Sequence, residues 1–142
     1  MRFWDTSAIV PLLVDQPRSN AAEATLAADD SLMVWWATPV ECASAIDRLE
    51  REGRLAPEAQ ARARDRLEVL GCNWVEIEPG NRLRGVAIRL LRTHPLRAAD
   101  ALQLAAAIVA ADGEPGSLTF VTLDTRLVLA ASREGFPVLE PA

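Results

Sequence analysis

The chain has 142 residues, is 50% hydrophobic and carries a net charge of −5, a balance that suits one folded domain with its own core and excludes a disordered or fibrous chain. Its longest helical apolar stretch, Ala101 to Ala111, is about half of the ~20 residues that a membrane-spanning helix needs. No basic-then-apolar leader opens the sequence, so a cytoplasmic protein without a membrane partner is expected.

Short β-like and longer helix-like segments alternate throughout. Arg2-Phe-Trp4 reads as a buried first strand, and Asp5-Thr6-Ser7 offers helix-capping oxygens before a helix over Ala8 to Val14. A second, Ala-rich helix spans Pro17 to Asp30, and Leu32 to Trp36 is the next strand. Thr38-Pro39-Val40-Glu41 opens a helix to about Glu52, in which Val40, Ala43, Ile46 and either Leu49 or Ala45 recur on one face before Gly53 stops it. Pro57 opens an amphipathic helix ending near Gly71, and Trp74 to Ile77 follows as a short strand. Asn81 to Thr93 and Ala98 to Ala111 are two further helices separated by the His94-Pro95 break. Leu118 to Leu123 is a strand, Asp124 to Glu134 a helix, and Phe136 to Leu139 a final strand. No linker, repeat or low-complexity tract divides residues 1–142, which are expected to form a single domain. Strands separated by helices imply parallel pairing through right-handed crossovers, hence an α/β fold with helices on both faces of one sheet.

Asp5, Glu41, Asp100 and Asp124 each fall where a strand ends or the next helix begins. In a parallel sheet such places share one edge, so the four carboxylates would converge in an acidic cleft. Such a cleft is repulsive unless a cation fills it, and a hard divalent ion such as Mg²⁺ takes oxygen ligands and keeps several waters beside substrate phosphates. Phosphodiester hydrolysis is the leading chemistry. Each acid also has a purely structural reading. Thr38-Pro39-Val40-Glu41 matches a capping box, Asp5 and Asp124 could cap their helices, and Asp100 could interact with the helix macrodipole. The joint pattern favours a site, because Asp100 begins the most apolar helix, where an acid is least needed for solubility.

These residues resemble a known family. Asp5-Thr6-Ser7, Glu41 after the second strand, Pro95-Leu-Arg-Ala-Ala-Asp100-Ala-Leu-Gln-Leu-Ala105 and Phe120-Val-Thr-Leu-Asp124 are similar to the four acidic motifs of PIN-domain nucleases, above all the VapC-type toxins of toxin–antitoxin pairs. The resemblance runs from the first strand to the last. It implies a PIN-like α/β/α sandwich around a mostly parallel sheet of four or five strands, an endoribonuclease dependent on Mg²⁺ or Mn²⁺, an inhibitory antitoxin and a homodimer. It also implies that Asp5 and Asp100 are the firmest metal ligands, that Glu41 and Asp124 complete the shell directly or through water, and that Thr6 and Thr122 orient a carboxylate or a water. At Ala99 members often carry an aromatic residue, which bears on substrate packing rather than on metal binding.

Other features carry plainer readings. Cys42 and Cys72 match no zinc or redox spacing and are expected to be reduced, buried small hydrophobes. All 15 cationic side chains are Arg, which can clamp phosphate, but a chain rich in Ala and Arg without Lys or Tyr reads first as the product of a GC-rich genome. The net charge of −5 is less adverse to a nucleic-acid substrate than it looks, since four of the 20 acids belong to the proposed cleft. His94 is placed in a turn, and Ser7 has no partner His to activate it. Of Trp35 and Trp36 only one can face the core. Arg48, Arg51, Arg54, Arg62, Arg64 and Arg66 interleave with acids as a solvated helical pair, the region where the resembled family places its antitoxin groove. Two rivals stand beside the nuclease. One is a catalytically inactive PIN-like module that binds RNA or protein. The other is a doubly wound phosphatase or receiver domain, which the Ser at position 7 and the absence of Lys disfavour.

Overall fold

The computed structural model describes residues 1–142. Five parallel strands, β1 (Arg2–Trp4), β2 (Leu32–Trp35), β3 (Val75–Ile77), β4 (Thr119–Val121) and β5 (Val138–Leu139), form one sheet in the order β3-β2-β1-β4-β5. Seven helices connect them: α1 (Thr6–Leu13), α2 (Ser19–Ala28), α3 (Thr38–Arg51), α4 (Pro57–Gly71), α5 (Asn81–Thr93), α6 (Ala98–Ala111) and α7 (Thr125–Arg133). The sheet is thus wholly parallel and has five strands.

Alternation along the strands divides the core in two. Trp4, Val34 and Val121 pack with Ala8, Ile9 and Leu13 of α1, Cys42 and Ile46 of α3 and Ala63 of α4. Phe3, Trp35 and Phe120 point the other way, against α5, α6 and α7, with Phe3 and Phe120 stacked at 5.4 Å between ring centroids. Helix α6 packs against both the sheet and α5, and its small side chains Ala101, Ala105, Ala106 and Ala107 are all buried. Trp35 is buried and Trp36 half exposed, as their opposite orientations require.

Several boundaries move by a residue or two, and three expectations need correction. Thr38 is not a cap: it is the first residue of α3, fully buried, and the cap position is Ala37, whose side chain forms no capping bond. Val40 leaves the predicted apolar face and is 69% exposed, because Cys42 and Ile46 define the buried stripe instead. Cys72 is exposed, since it follows α4 at its solvent end. His94 lies in the break between α5 and α6 as expected, and it is buried there with its Nε2 2.8 Å from Glu134 Oε2. Gly53 ends the α3 turn with φ of +70°, a backbone region in which glycine is unstrained. The ion pair between α3 and α4 is Arg64 with Asp47, at 2.6 Å to Oδ2, and Arg54 lies 3.6 Å from Glu52 in the turn that joins them.

Candidate functional site

The chain leaves β1 toward β2 on one side, and β4 lies on the other, so the strand order reverses between β1 and β4. At such a reversal the connections diverge and open a crevice at the carboxyl ends of the strands. Asp5 directly follows β1 and Asp124 closely follows β4, and the Asp5 backbone N–H donates to Val121 O at 3.1 Å. Glu41 comes from the first turn of α3 and Asp100 from the first turn of α6. All four acids line one cleft of about 590 Å³, together with Thr6, Ser7, Val40, Ser44, Arg48 and Ala99 among others. A more apolar hollow of about 410 Å³, between α1, α2 and α4, lies elsewhere and holds none of them.

Each acid is held differently. Asp5 caps α1 and is almost wholly buried, accepting from the Ser7 hydroxyl at 2.8 Å and the Ser7 backbone N–H at 3.3 Å. Asp124 caps α7 by accepting from the backbone N–H groups of Arg126 at 2.8 Å and Leu127 at 3.3 Å. Glu41 does not reach back to the start of its own helix, as a capping box would require. Its Oε2 accepts instead from Gln103 Nε2 at 3.0 Å. The Thr122 side chain is buried, and its Oγ1 accepts from the Asp124 backbone N–H at 3.0 Å. Thr6 Oγ1 accepts from Gln103 Nε2 at 3.0 Å.

The electrostatics show a site short of positive charge. Burial is the main force pushing Asp5 up to about 6, opposed by hydroxyls of Thr122 and Ser7 and reinforced by the charge of Asp124. Burial likewise pushes Glu41 up to about 7, with the Gln103 amide opposing and Asp5 and Asp100 adding repulsion. Asp100 is raised by burial and then by Asp124, with Arg97 and Arg126 only partly offsetting. The molecule's ion pairs all lie away from these four acids.

No three His, Cys, Asp or Glu side chains are arranged to enclose a metal directly. The donor set still fits a hard divalent cation, because it is all oxygen, carries unpaired charge, and opens on a cleft wide enough for water. Mg²⁺ is commonly bound through one or two carboxylates with the rest of its shell water. Asp5, Glu41, Asp100 and Asp124 would hold it, either directly or through such waters.

The PIN domain family matches residues 2–132. This chain belongs to the PIN domain family. Its fold is also that of solved structures at low identity. FitAcB from Neisseria gonorrhoeae superposes with a TM-score of 0.68 at 21% identity, covering 99% of this chain and 98% of that one. A toxin–antitoxin complex from Klebsiella pneumoniae gives 0.68 at 17%, covering 100% and 98%. A protein of Pyrobaculum aerophilum gives 0.68 at 19%, covering 98% and 89%. Among curated proteins none matches.

Two residues of this PIN domain escape a reading by acids alone. Ser7 Oγ donates to Asp5, lies 3.2 Å from Thr122 Oγ1, and accepts from the Leu123 backbone N–H at 2.8 Å. It thus ties the end of β1 to the end of β4. Gln103 was legible only as the one polar side chain inside the apolar run of α6, one turn beyond Asp100.

Proposed function

We propose that this PIN domain, acting as one unit over the whole chain, is a Mg²⁺- or Mn²⁺-dependent endoribonuclease and the toxin of a toxin–antitoxin pair. The observation that carries the reading is the convergence of four carboxylates, none of them in an ion pair, on one open cleft at the strand-order reversal. PIN domains are generally nucleases, and the structural likeness to a toxin–antitoxin complex supports an antitoxin as partner. A homodimer in the cytoplasm is part of the same reading.

When bound, the ion would polarise the scissile phosphate and make a water more acidic. The protein's own groups do the rest. Asp5, held by Ser7, presents a carboxylate whose position is set by two hydrogen bonds. Glu41 or Asp124 orients the attacking water and accepts its proton. In the metal-free protein burial pushes Glu41 up to about 7, and a bound cation would favour its ionised form, the one able to accept a proton. Arg48 is the one cationic side chain lining the cleft and has no partner among the molecule's ion pairs, so it is free to receive a backbone phosphate.

Purified protein should cut structured RNA with Mg²⁺ or Mn²⁺ and stop in EDTA, and its expression alone should slow growth until an antitoxin is supplied. Cleavage undiminished by chelator would sink the metal mechanism. Tight RNA binding with no cleavage under any divalent ion would favour the non-catalytic module.

A further inference from the structure

Gln103 sits in α6 with 1% of its surface exposed, among Ala101, Leu104, Ala105, Ala106 and Ala107. Its Nε2 lies 3.0 Å from Thr6 Oγ1, 3.2 Å from Thr38 Oγ1 and 3.0 Å from Glu41 Oε2. Its Oε1 is buried and has no partner. An apolar residue would fill that space without leaving a carbonyl unpaired, and an unpaired buried polar atom costs about 1–3 kcal/mol. As core filling, then, Gln103 is a poor choice.

As a holder of Glu41 it is a good one. Turning the amide round would give Oε1 to the two threonine hydroxyls, but it would set a carbonyl oxygen against the Glu41 carboxylate. An ionised Glu41 therefore selects the observed orientation and strands Oε1. A neutral amide also fixes the carboxylate without cancelling its charge, whereas Lys or Arg at this point would occupy the place of a cation. The two N–H groups cannot serve three acceptors at once, so Thr6 and Thr38 share the second hydrogen. The contact joins three elements, α1, α3 and α6, behind the cleft.

We propose that Gln103 is a positioning residue that holds the Glu41 carboxylate, braced by Thr6 and Thr38, in the orientation that receives the divalent cation. This rests on the reading of Glu41 as part of an ion site. Residues that orient a metal-binding group from behind typically matter 10- to 100-fold in affinity or activity, as a rough guide.

The test is calorimetric titration of Mn²⁺ into metal-free protein, alongside RNA cleavage. Gln103→Met keeps the length of the side chain and removes the donor; Gln103→Leu serves if Met does not fold, and Gln103→His restores an N–H. Gln103→Met should weaken Mn²⁺ about 10- to 100-fold and lower kcat with little change in KM for RNA, while Gln103→His should recover much of both. In a Glu41→Gln background, Gln103→Met should weaken Mn²⁺ no further, because both substitutions act on one carboxylate. Wild-type Mn²⁺ affinity in folded Gln103→Met, or losses that multiply in the double variant, would overturn the positioning role and leave the proposed nuclease intact. No Mn²⁺ binding by wild-type protein would remove the ion site and the positioning role together.

Discussion

Asp124 carries two duties on one carboxyl group. Its oxygen accepts from two backbone N–H groups at the start of α7, and the same side chain lines the acidic cleft. Asn caps helices about as well as Asp but has no charge. Asp124→Asn should therefore keep stability within about 1 kcal/mol, the helix-dipole contribution being the only loss, while cleavage falls sharply. Urea melts and initial rates on one RNA check both halves, and full activity in Asp124→Asn would reduce the residue to a cap. Which duty each acid performs was only partly legible in the sequence. Asp5 and Asp124 do cap, as their positions before helices suggested. Glu41 does not, although its spacing from Thr38 matched a capping box, because Thr38 is drawn into the interior by Gln103 and the helix begins one residue earlier. Spacing along a chain cannot show that a partner 62 residues away competes for the same side chain.

Helix α3 shows what periodicity reveals and what it leaves out. The predicted span was close to the observed Thr38–Arg51, and its buried stripe includes Cys42 and Ile46. Glu41, Ser44, Ala45 and Arg48 lie at helical spacing and line the cleft together, so one face of α3 is a wall of the site. Val40 belongs to that exposed side of the helix, which is why counting it as core was wrong. Hydrophobicity alone does not say whether an apolar residue faces a sheet or a cleft. Arg48 gives the wall its one positive charge, so Arg48→Ala should weaken RNA binding with little effect on stability. The salt dependence of log K should lose roughly one unit of slope if one phosphate contact is removed. Unchanged binding over a salt series would show that the backbone passes elsewhere. The cores were more legible than the cleft: Phe3 against Trp4 and Phe120 against Val121 divide between the two faces as strand alternation demands.

The whole molecule balances two kinds of carboxylate, and pH separates them. Hydrogen bonds to Ser31 hold Asp29 down at about 2, and Arg partners hold Asp47 and Glu134 low as well. Their contribution is present at ordinary pH and is lost only in acid. Asp5 and Glu41 behave oppositely. With their folded values raised to about 6 and 7, the native protein keeps protons that the unfolded chain has already released. Metal-free stability should therefore fall as pH rises from about 4 to about 7, by on the order of 2–3 kcal/mol for the buried Asp5 alone. Mg²⁺ should restore stability above pH 7 and do little at pH 5, where protons compete for the same oxygens. Chemical denaturation in EDTA and in Mg²⁺ at pH 5 and pH 8 measures this. Equal metal-free stability at the two pH values, with no gain from Mg²⁺ at pH 8, would contradict an acidic cleft waiting for a cation.

The central claim is that four carboxylates act together as an ion-dependent catalytic site. Its most direct measurement is the RNA cleavage rate of Glu41→Gln and Asp100→Asn beside wild type at saturating Mg²⁺, with metal-free stability measured on the same samples. Cleavage should drop by orders of magnitude while metal-free stability holds or rises, because each substitution removes one member of a like-charge cluster. Wild-type rates in both variants would contradict the account and leave these acids as structural groups at the ends of helices.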